Sequence, residues 1–196
     1  MSESATPAPE SDEYRGREGV LKWDDYCMAI AFLSAQRSKD PSTQVGACIA
    51  YEDKRIVSTG YNDMPNNCDN LPWGKGDPDK LNNKYVYVCH AELNAVLNKN
   101  STDVKNCTIY VSLFPCNECA KVIIQSGIKK VMYYADKYQD SPKVKASKIM
   151  LEEAGVRFIQ HEPNLDKIVN ALSETKEMYV KSRVDTPTTS ERKLDD

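Results

Sequence analysis

The sequence predicts an α/β fold in which helices cover both faces of a mixed five-stranded sheet, a three-layer α/β/α arrangement. Strand-like and helix-like segments alternate from residue 107 onward, which is typical of parallel strands joined by helices. Two earlier strand-like segments are separated only by a short polar turn, which indicates an antiparallel hairpin. A chain of 196 residues that is 40% hydrophobic can bury one core of ordinary size, so we expect one domain.

The first half of this domain is predicted as a helix, a hairpin and a long loop. Trp23–Gln36 has apolar residues at helical spacing, and Pro41 lies in the loop that follows it. The hairpin strands are Val45–Tyr51 and Arg55–Gly60. Residues 61–84 gather Asn, Asp, Pro and Gly into a loop whose length, in a compact domain, favours a function.

The second half of the domain is predicted to alternate between helices and strands. Its helices are expected at Ala91–Lys99, Asn117–Gln125, Val144–Ala154 and Asp166–Val180, and its strands at Cys107–Leu113, Val131–Tyr134 and Val156–Gln160. Gly127 and Gly155 follow two of these helices and suit their ends.

The two ends of the chain are polar. Residues 1–19 and 182–196 offer little to bury and are predicted to be disordered tails on a domain that spans 20–181. The sequence has no apolar run of the roughly 18 residues that a membrane span needs, and its start has no apolar signal segment. We therefore expect no membrane partner and a cytoplasmic protein, with the nucleus as the alternative.

Charge and cysteine content narrow the function classes. A net charge of −3 and a pI of about 5.5 argue against a broad nucleic-acid surface. Seven cysteines are an odd number in a chain too large for a disulfide-stapled miniprotein. Cys27, Cys48 and Cys107 lie in apolar segments and are predicted to be buried free thiols.

Two short stretches contain residues that are candidate metal ligands. His90 precedes one predicted helix, and Cys116 and Cys119 open another. Zinc favours nitrogen and sulfur ligands, and three protein ligands leave a fourth position for water or substrate, as in catalytic sites. A closed structural site would need a fourth ligand, for which Cys89 is the candidate, although adjacent residues rarely aim at one ion.

Glu92 is the candidate proton carrier. On a regular helix, Glu92 and His90 would not share a face, so both must lie where the helix begins. The alternative is a solvated glutamate that favours the helix dipole. The order His-x-Glu followed by Pro-Cys-x-x-Cys is the signature of zinc-dependent nucleobase deaminases.

The chain from Trp23 to about His161 resembles the cytidine deaminase superfamily, and within it the eukaryotic deoxycytidylate deaminases. The resemblance is carried by Phe32–Pro41, Gln44–Ile49, Gly60–Asn62, Cys89–Ala95, Leu113–Lys121, Ser126–Lys129 and Asp136–Tyr138. It implies the cytidine deaminase-like fold and the zinc-dependent hydrolysis of dCMP to dUMP and ammonia, which supplies dUMP for thymidylate synthesis.

The same resemblance implies residue roles. His90, Cys116 and Cys119 would bind zinc, and Glu92 would transfer the proton. The implied substrate contacts are the Ala91 backbone to the base carbonyl, Asn62 to the deoxyribose, and Lys39, Ser42 and Tyr138 to the 5′-phosphate.

The resemblance also implies regulation of a homohexamer, with activation by dCTP carrying Mg²⁺ and inhibition by dTTP. The implied effector residues are Gly60, Tyr61, Asn62, Pro65 and Asn66. This chain has Asp63 and Asn67 where the family pattern has glycine, and both residue types tolerate positive φ better than most.

Two rival functions are compatible with the same sequence features. A polynucleotide deaminase would need a basic groove with stacking aromatic residues, which the acidic balance does not favour. A catalytically inactive zinc scaffold of the same fold would be expected if Glu92 were absent, and Glu92 is present.

Overall fold

A computed structural model describes residues 16–184 of the chain. Residues 16–19 form no helix or strand, and the remaining parts of the two predicted tails, 1–15 and 185–196, lie outside the described residues. No helix in the described range is both long and apolar enough to cross a membrane.

One mixed sheet forms the middle layer, as predicted. Its strands are β1 (Gly46–Ala50), β2 (Ile56–Tyr61), β3 (Thr108–Leu113), β4 (Lys130–Ala135) and β5 (Arg157–Gln160). Their spatial order is β2-β1-β3-β4-β5. The β1 strand pairs antiparallel with both β2 and β3, whereas β3, β4 and β5 are parallel. The parallel strands end at one edge of the sheet, close to the start of the helices that follow them.

Helices cover both faces of this sheet. They are α1 (Trp23–Ala35), α2 (Ala91–Leu97), α3 (Asn117–Gln125), α4 (Pro142–Glu153) and α5 (Leu165–Val184). Alternation along the strands divides the core in two: Ile109 and Val111 pack with α2, α3 and α4, while Tyr110 packs with α1 on the other face. The predicted three-layer fold is thereby confirmed.

Some element ends differ from the prediction. The α4 helix begins at Pro142 rather than Val144, because the Ser141 hydroxyl accepts a hydrogen bond from the Val144 amide and proline is favoured in the first helical turn. The α5 helix continues to Val184, three residues past the predicted domain edge at 181. Within the long loop, Lys80–Asn82 and Lys84–Val86 form single 3₁₀ turns that the polar composition did not predict.

Gly60 allows α2 to lie directly on β2. A Cβ atom added at Gly60 would lie 2.3 Å from both the Ala91 carbonyl oxygen and the Ala95 amide nitrogen. Both atoms belong to the α2 backbone, so the clash is relieved only if the helix moves.

We therefore expect Gly60→Ala to lower the free energy of unfolding by about 1 to 3 kcal/mol, measured by urea denaturation. Gly16→Ala is the control, because a Cβ at Gly16 meets nothing within 4 Å. Equal urea midpoints for the two variants would contradict this packing role for Gly60.

Candidate active site

Three metal-binding side chains meet above the sheet. His90 is the residue immediately before α2, Cys116 immediately precedes α3, and Cys119 lies in the first turn of α3. The His90 Nδ1 atom lies 3.5 Å from Cys116 Sγ and 3.3 Å from Cys119 Sγ. Usual Zn–N and Zn–S bond lengths at a tetrahedral angle give a nitrogen–sulfur separation of about 3.5 Å. The spacing of these donor atoms therefore fits one zinc ion.

Cys89 does not join this group. Within residues 16–184, the side chains whose donor atoms lie close enough to that of His90 to share one metal ion are Cys116 and Cys119. The backbone of Cys89 instead pairs with that of Asp63 in an isolated β-bridge. This arrangement favours three protein ligands over the closed structural site that Cys89 would have completed.

The surroundings of Cys116 and Cys119 shift the pKa values of both thiols. A hydrogen bond from the Cys119 thiol, supported by the His90 ring, lowers the pKa of Cys116 to about 3. That same hydrogen bond, together with burial, raises the pKa of Cys119. One thiolate is thus present at neutral pH, and Cys119 must release its proton when a metal binds.

Glu92 is buried beside the three ligands. Its side chain, in the first turn of α2, is only 4% exposed, which rules out the solvated alternative. Burial raises the pKa of Glu92, and the nearby His90 opposes this effect. A carboxyl group with a raised pKa, held close to a metal site, can both accept and return a proton.

A cavity of about 620 Å³ lies over these four side chains. Its walls come from the loop before β1, from the long loop before α2, and from the segment between β4 and α4. Cavities of roughly 300 to 1,000 Å³ commonly hold small ligands, so a nucleotide is of suitable size.

The structure brings three of the five predicted substrate residues to this cavity: Asn62, Ala91 and Tyr138. Lys39 and Ser42 do not line it. The Lys39 ammonium lies 2.6 Å from Asp69 on the protein surface, and the Ser42 amide donates to Asp40 Oδ1. Both therefore have other contacts than the predicted phosphate.

Asn62 is held by the protein itself. Its Nδ2 donates to Asp40 Oδ2 at 3.1 Å and to the Thr43 carbonyl at 3.0 Å, and its Oδ1 accepts from the Val45 amide at 2.8 Å. These bonds make Asn62 a brace for the loop before β1, in addition to its place in the cavity wall.

Further charged residues line the cavity without having been predicted as site residues, among them Asp40, Lys84 and Lys143. Lys84 forms a buried ion pair with Asp40. Lys143 lies in the first turn of α4 and is exposed. No sequence pattern gave any of these three residues a role, because each lies in a polar stretch and only the fold brings it to the cavity.

The predicted effector residues lie in different environments. Gly60 packs against α2, and Asn62 is buried, whereas Pro65 and Asn66 are exposed and Tyr61 is half-buried. At the two positions where glycine was expected, Asn67 adopts a positive φ of 66°, and Asp63 forms the bridge to Cys89.

Comparisons with known proteins give a consistent result. Residues 21–135 match the family model for the cytidine and deoxycytidylate deaminase zinc-binding region. The chain is 58% identical to the deoxycytidylate deaminase of Homo sapiens over 155 residues, which covers 78% of this chain and 87% of that one. It is 51% identical to a probable deoxycytidylate deaminase of Drosophila melanogaster, with 79% of each chain covered.

Solved structures agree with the sequence relatives. The crystal structure of dCMP deaminase from the cyanophage S-TIM5, in complex with dCMP and dUMP, matches with a TM-score of 0.55 at 27% identity. The match covers 68% of this chain and 93% of that one.

Proposed function

The chain belongs to the cytidine and deoxycytidylate deaminase family, and from this premise we propose that it hydrolyses dCMP to dUMP and ammonia in a zinc-dependent reaction. The single observation that carries the proposal is the cavity in which buried Glu92 lies beside the His90, Cys116 and Cys119 donors. Relatives named as deoxycytidylate deaminases favour dCMP as the substrate.

In this proposal His90 Nδ1 and the two thiolates would hold zinc, and the chain's own residues would move the protons. Zinc, when bound, would act as a Lewis acid and lower the pKa of the attacking water. Glu92 takes a proton from the attacking water and passes it to N3 of the base as the C4–O bond forms and the C4–N3 double bond opens. Glu92 then moves the remaining hydroxyl proton to the amino group, so the bond from C4 to that group breaks, the C4 carbonyl forms and ammonia leaves.

Two residues of the cavity wall support a nucleotide over a nucleoside as the substrate. Tyr138, a predicted phosphate contact, and Lys143 line it on the α4 side, where a 5′-phosphate would find a hydroxyl donor and a cation. The supply of dUMP for thymidylate synthesis is the metabolic role that we propose for the product.

The test is to incubate the purified protein with dCMP, deoxycytidine and a cytosine-containing oligonucleotide and to follow the loss of the cytosine chromophore. A charge-assisted hydrogen bond is worth roughly 1.5 to 3 kcal/mol, so two phosphate contacts predict a kcat/KM for dCMP that exceeds that for deoxycytidine by several powers of ten. Equal values for these two substrates would contradict the phosphate contacts. Preferred turnover of the oligonucleotide would support the polynucleotide deaminase, and no turnover at all would support the inactive scaffold.

We further propose that a homohexamer is activated by dCTP with Mg²⁺ and inhibited by dTTP at a site that includes Gly60, Tyr61, Asn62, Pro65 and Asn66. The supporting contact is the Asp63 bridge, in which Asp63 and Cys89 exchange backbone hydrogen bonds of 3.1 and 2.9 Å beside His90. A ligand that fixes this loop would therefore also act on the segment that carries the metal histidine.

Coupling free energies of about 1 to 3 kcal/mol predict that dCTP lowers the dCMP concentration at half-maximal rate by roughly 5 to 150-fold. Initial rates measured across dCMP concentrations, with each triphosphate, test this expectation. If neither triphosphate shifts the curve but the Asp63→Gly, Asn67→Gly variant responds, the regulation proposed for this chain is wrong and those two residues account for its loss.

A further inference from the structure

A buried ion pair forms part of the cavity wall and has no part in the proton transfer described above. The Lys84 ammonium lies 2.7 Å from Asp40 Oδ1 and 2.5 Å from Oδ2, and the two side chains are 4% and 3% exposed. Burying two charges has a desolvation cost that often offsets their attraction, so stability alone is a weak reason for such a pair.

Asp40 is the centre of a hydrogen-bond network. Its Oδ1 accepts from the Ser42 amide at 2.8 Å and the Thr43 amide at 3.2 Å, and its Oδ2 accepts from Asn62 at 3.1 Å. Burial acts to raise the pKa of Asp40, but the hydrogen bonds from the Lys84 ammonium and from the Ser42 and Thr43 amides hold this pKa below its usual value. The carboxylate therefore fixes the turn before β1 and the side chain of Asn62 together.

Lys84 belongs to the long loop before α2. Its amide donates to the Gly74 carbonyl at 2.9 Å, and its carbonyl accepts from the Val88 amide at 2.8 Å. Val88 and Tyr85 line the cavity, and the same segment continues into His90. The ion pair is thus a direct bond between the long loop and the loop before β1.

We propose that the Lys84–Asp40 pair is a latch that positions both walls of the cavity around the nucleotide. Lys84 and Asp40 are positioning residues, since they act on the substrate through Asn62, Thr43 and the segment that carries Tyr85. This inference rests on the proposed function, because the substrate it concerns is dCMP.

The rival role for Lys84 is a direct contact with the substrate phosphate. Both carboxylate oxygens of Asp40 already bind the Lys84 ammonium, so its charge is compensated within the protein. The Lys143 ammonium lines the same cavity, and among the described residues it has no hydrogen bond or ion pair. These contacts favour positioning over direct binding for Lys84.

The test compares Lys84→Met, Asp40→Asn and the double variant, with Arg55→Met as the control. Arg55 pairs with Asp53 at 2.8 Å on the surface of the β1–β2 turn and is not among the residues that line the cavity. For Lys84→Met we expect the KM for dCMP to rise at least about tenfold, with a smaller change in kcat and an unchanged zinc content, because misplaced binding groups weaken substrate positioning. Amide hydrogen exchange should quicken in residues 40–45 and 62–88, and Arg55→Met should change none of these quantities.

Double-variant kinetics separate the two roles of Lys84. If Lys84 acts through Asp40, adding Lys84→Met to Asp40→Asn should change KM by less than about twofold. An equal rise in KM in both backgrounds would assign Lys84 to direct substrate contact and overturn the latch. A wild-type KM and wild-type exchange in Lys84→Met would also overturn it.

Two further measurements cover the cases in which Lys84→Met does not fold or the wild-type protein does not turn over dCMP. If Lys84→Met does not fold, Asp40→Asn, which keeps the size of the side chain, should alone raise KM and quicken exchange. If the wild-type protein does not turn over dCMP, the proposed function fails, and the exchange rates of the two loops still show whether the ion pair holds them together.

Discussion

Glu92→Gln is expected to lower the turnover of dCMP by at least about 10² to 10⁴-fold while leaving the zinc content unchanged. Glutamine keeps the size and buried position of the side chain but cannot carry the proton between water and the leaving amino group. Glu92 lies beside the metal-binding atoms without being one of them, so the metal should remain. Elemental analysis and turnover should be measured on the same sample.

The control for this variant is Glu52→Gln. Glu52 is an exposed residue of the β1–β2 turn, so the same chemical change there should leave turnover at the wild-type level. Near wild-type activity in the Glu92→Gln protein would remove Glu92 from the reaction and with it the proposed proton transfer.

Cys119→Ala is expected to lose both zinc and activity. Cys119 lies 3.3 Å from His90 Nδ1 and supplies one of the three proposed ligands. Water away from zinc has a pKa of 15.7 rather than about 7, so we expect turnover to fall by at least about 10⁴-fold. Zinc content and initial rate are again the two measurements.

Cys89→Ala is the matched variant, because it removes a thiol adjacent to His90 that is not grouped with the ligands. It should retain one zinc per chain and most of the activity. Loss of zinc in Cys89→Ala, with retention in Cys119→Ala, would contradict the ligand assignment and favour a site that Cys89 helps to close.

The fold and the centre of the site were predictable because local patterns carry them. Apolar periodicity located the helices and strands, and the alternation of the two indicated the parallel half of the sheet. The incompatibility of His90 and Glu92 with one helical face required both to lie where α2 begins, and the structure confirms that placement.

The wall of the cavity was less predictable. Lys39 and Lys84 are both lysines in polar loops, yet one pairs with Asp69 on the surface and the other with buried Asp40. The Lys84–Asp40 contact joins residues 44 positions apart and depends on the path of a loop that has no periodicity. Single-sequence patterns carry no information about such a contact.

Gly60 illustrates the same limit. The family resemblance implied an effector role for Gly60, and the structure adds a packing role that the sequence did not indicate, because the α2 backbone lies where its Cβ would be. The residue pattern of a strand cannot indicate which helix packs across that strand.

The most direct test of the central claim is to titrate zinc into the metal-free wild-type protein while measuring the rate of dCMP deamination. We predict a rate that rises linearly with added zinc and reaches a plateau at one zinc per chain, because His90, Cys116 and Cys119 form one site. A full rate of dCMP deamination before any zinc is added, or no deamination at one zinc per chain, would contradict the account.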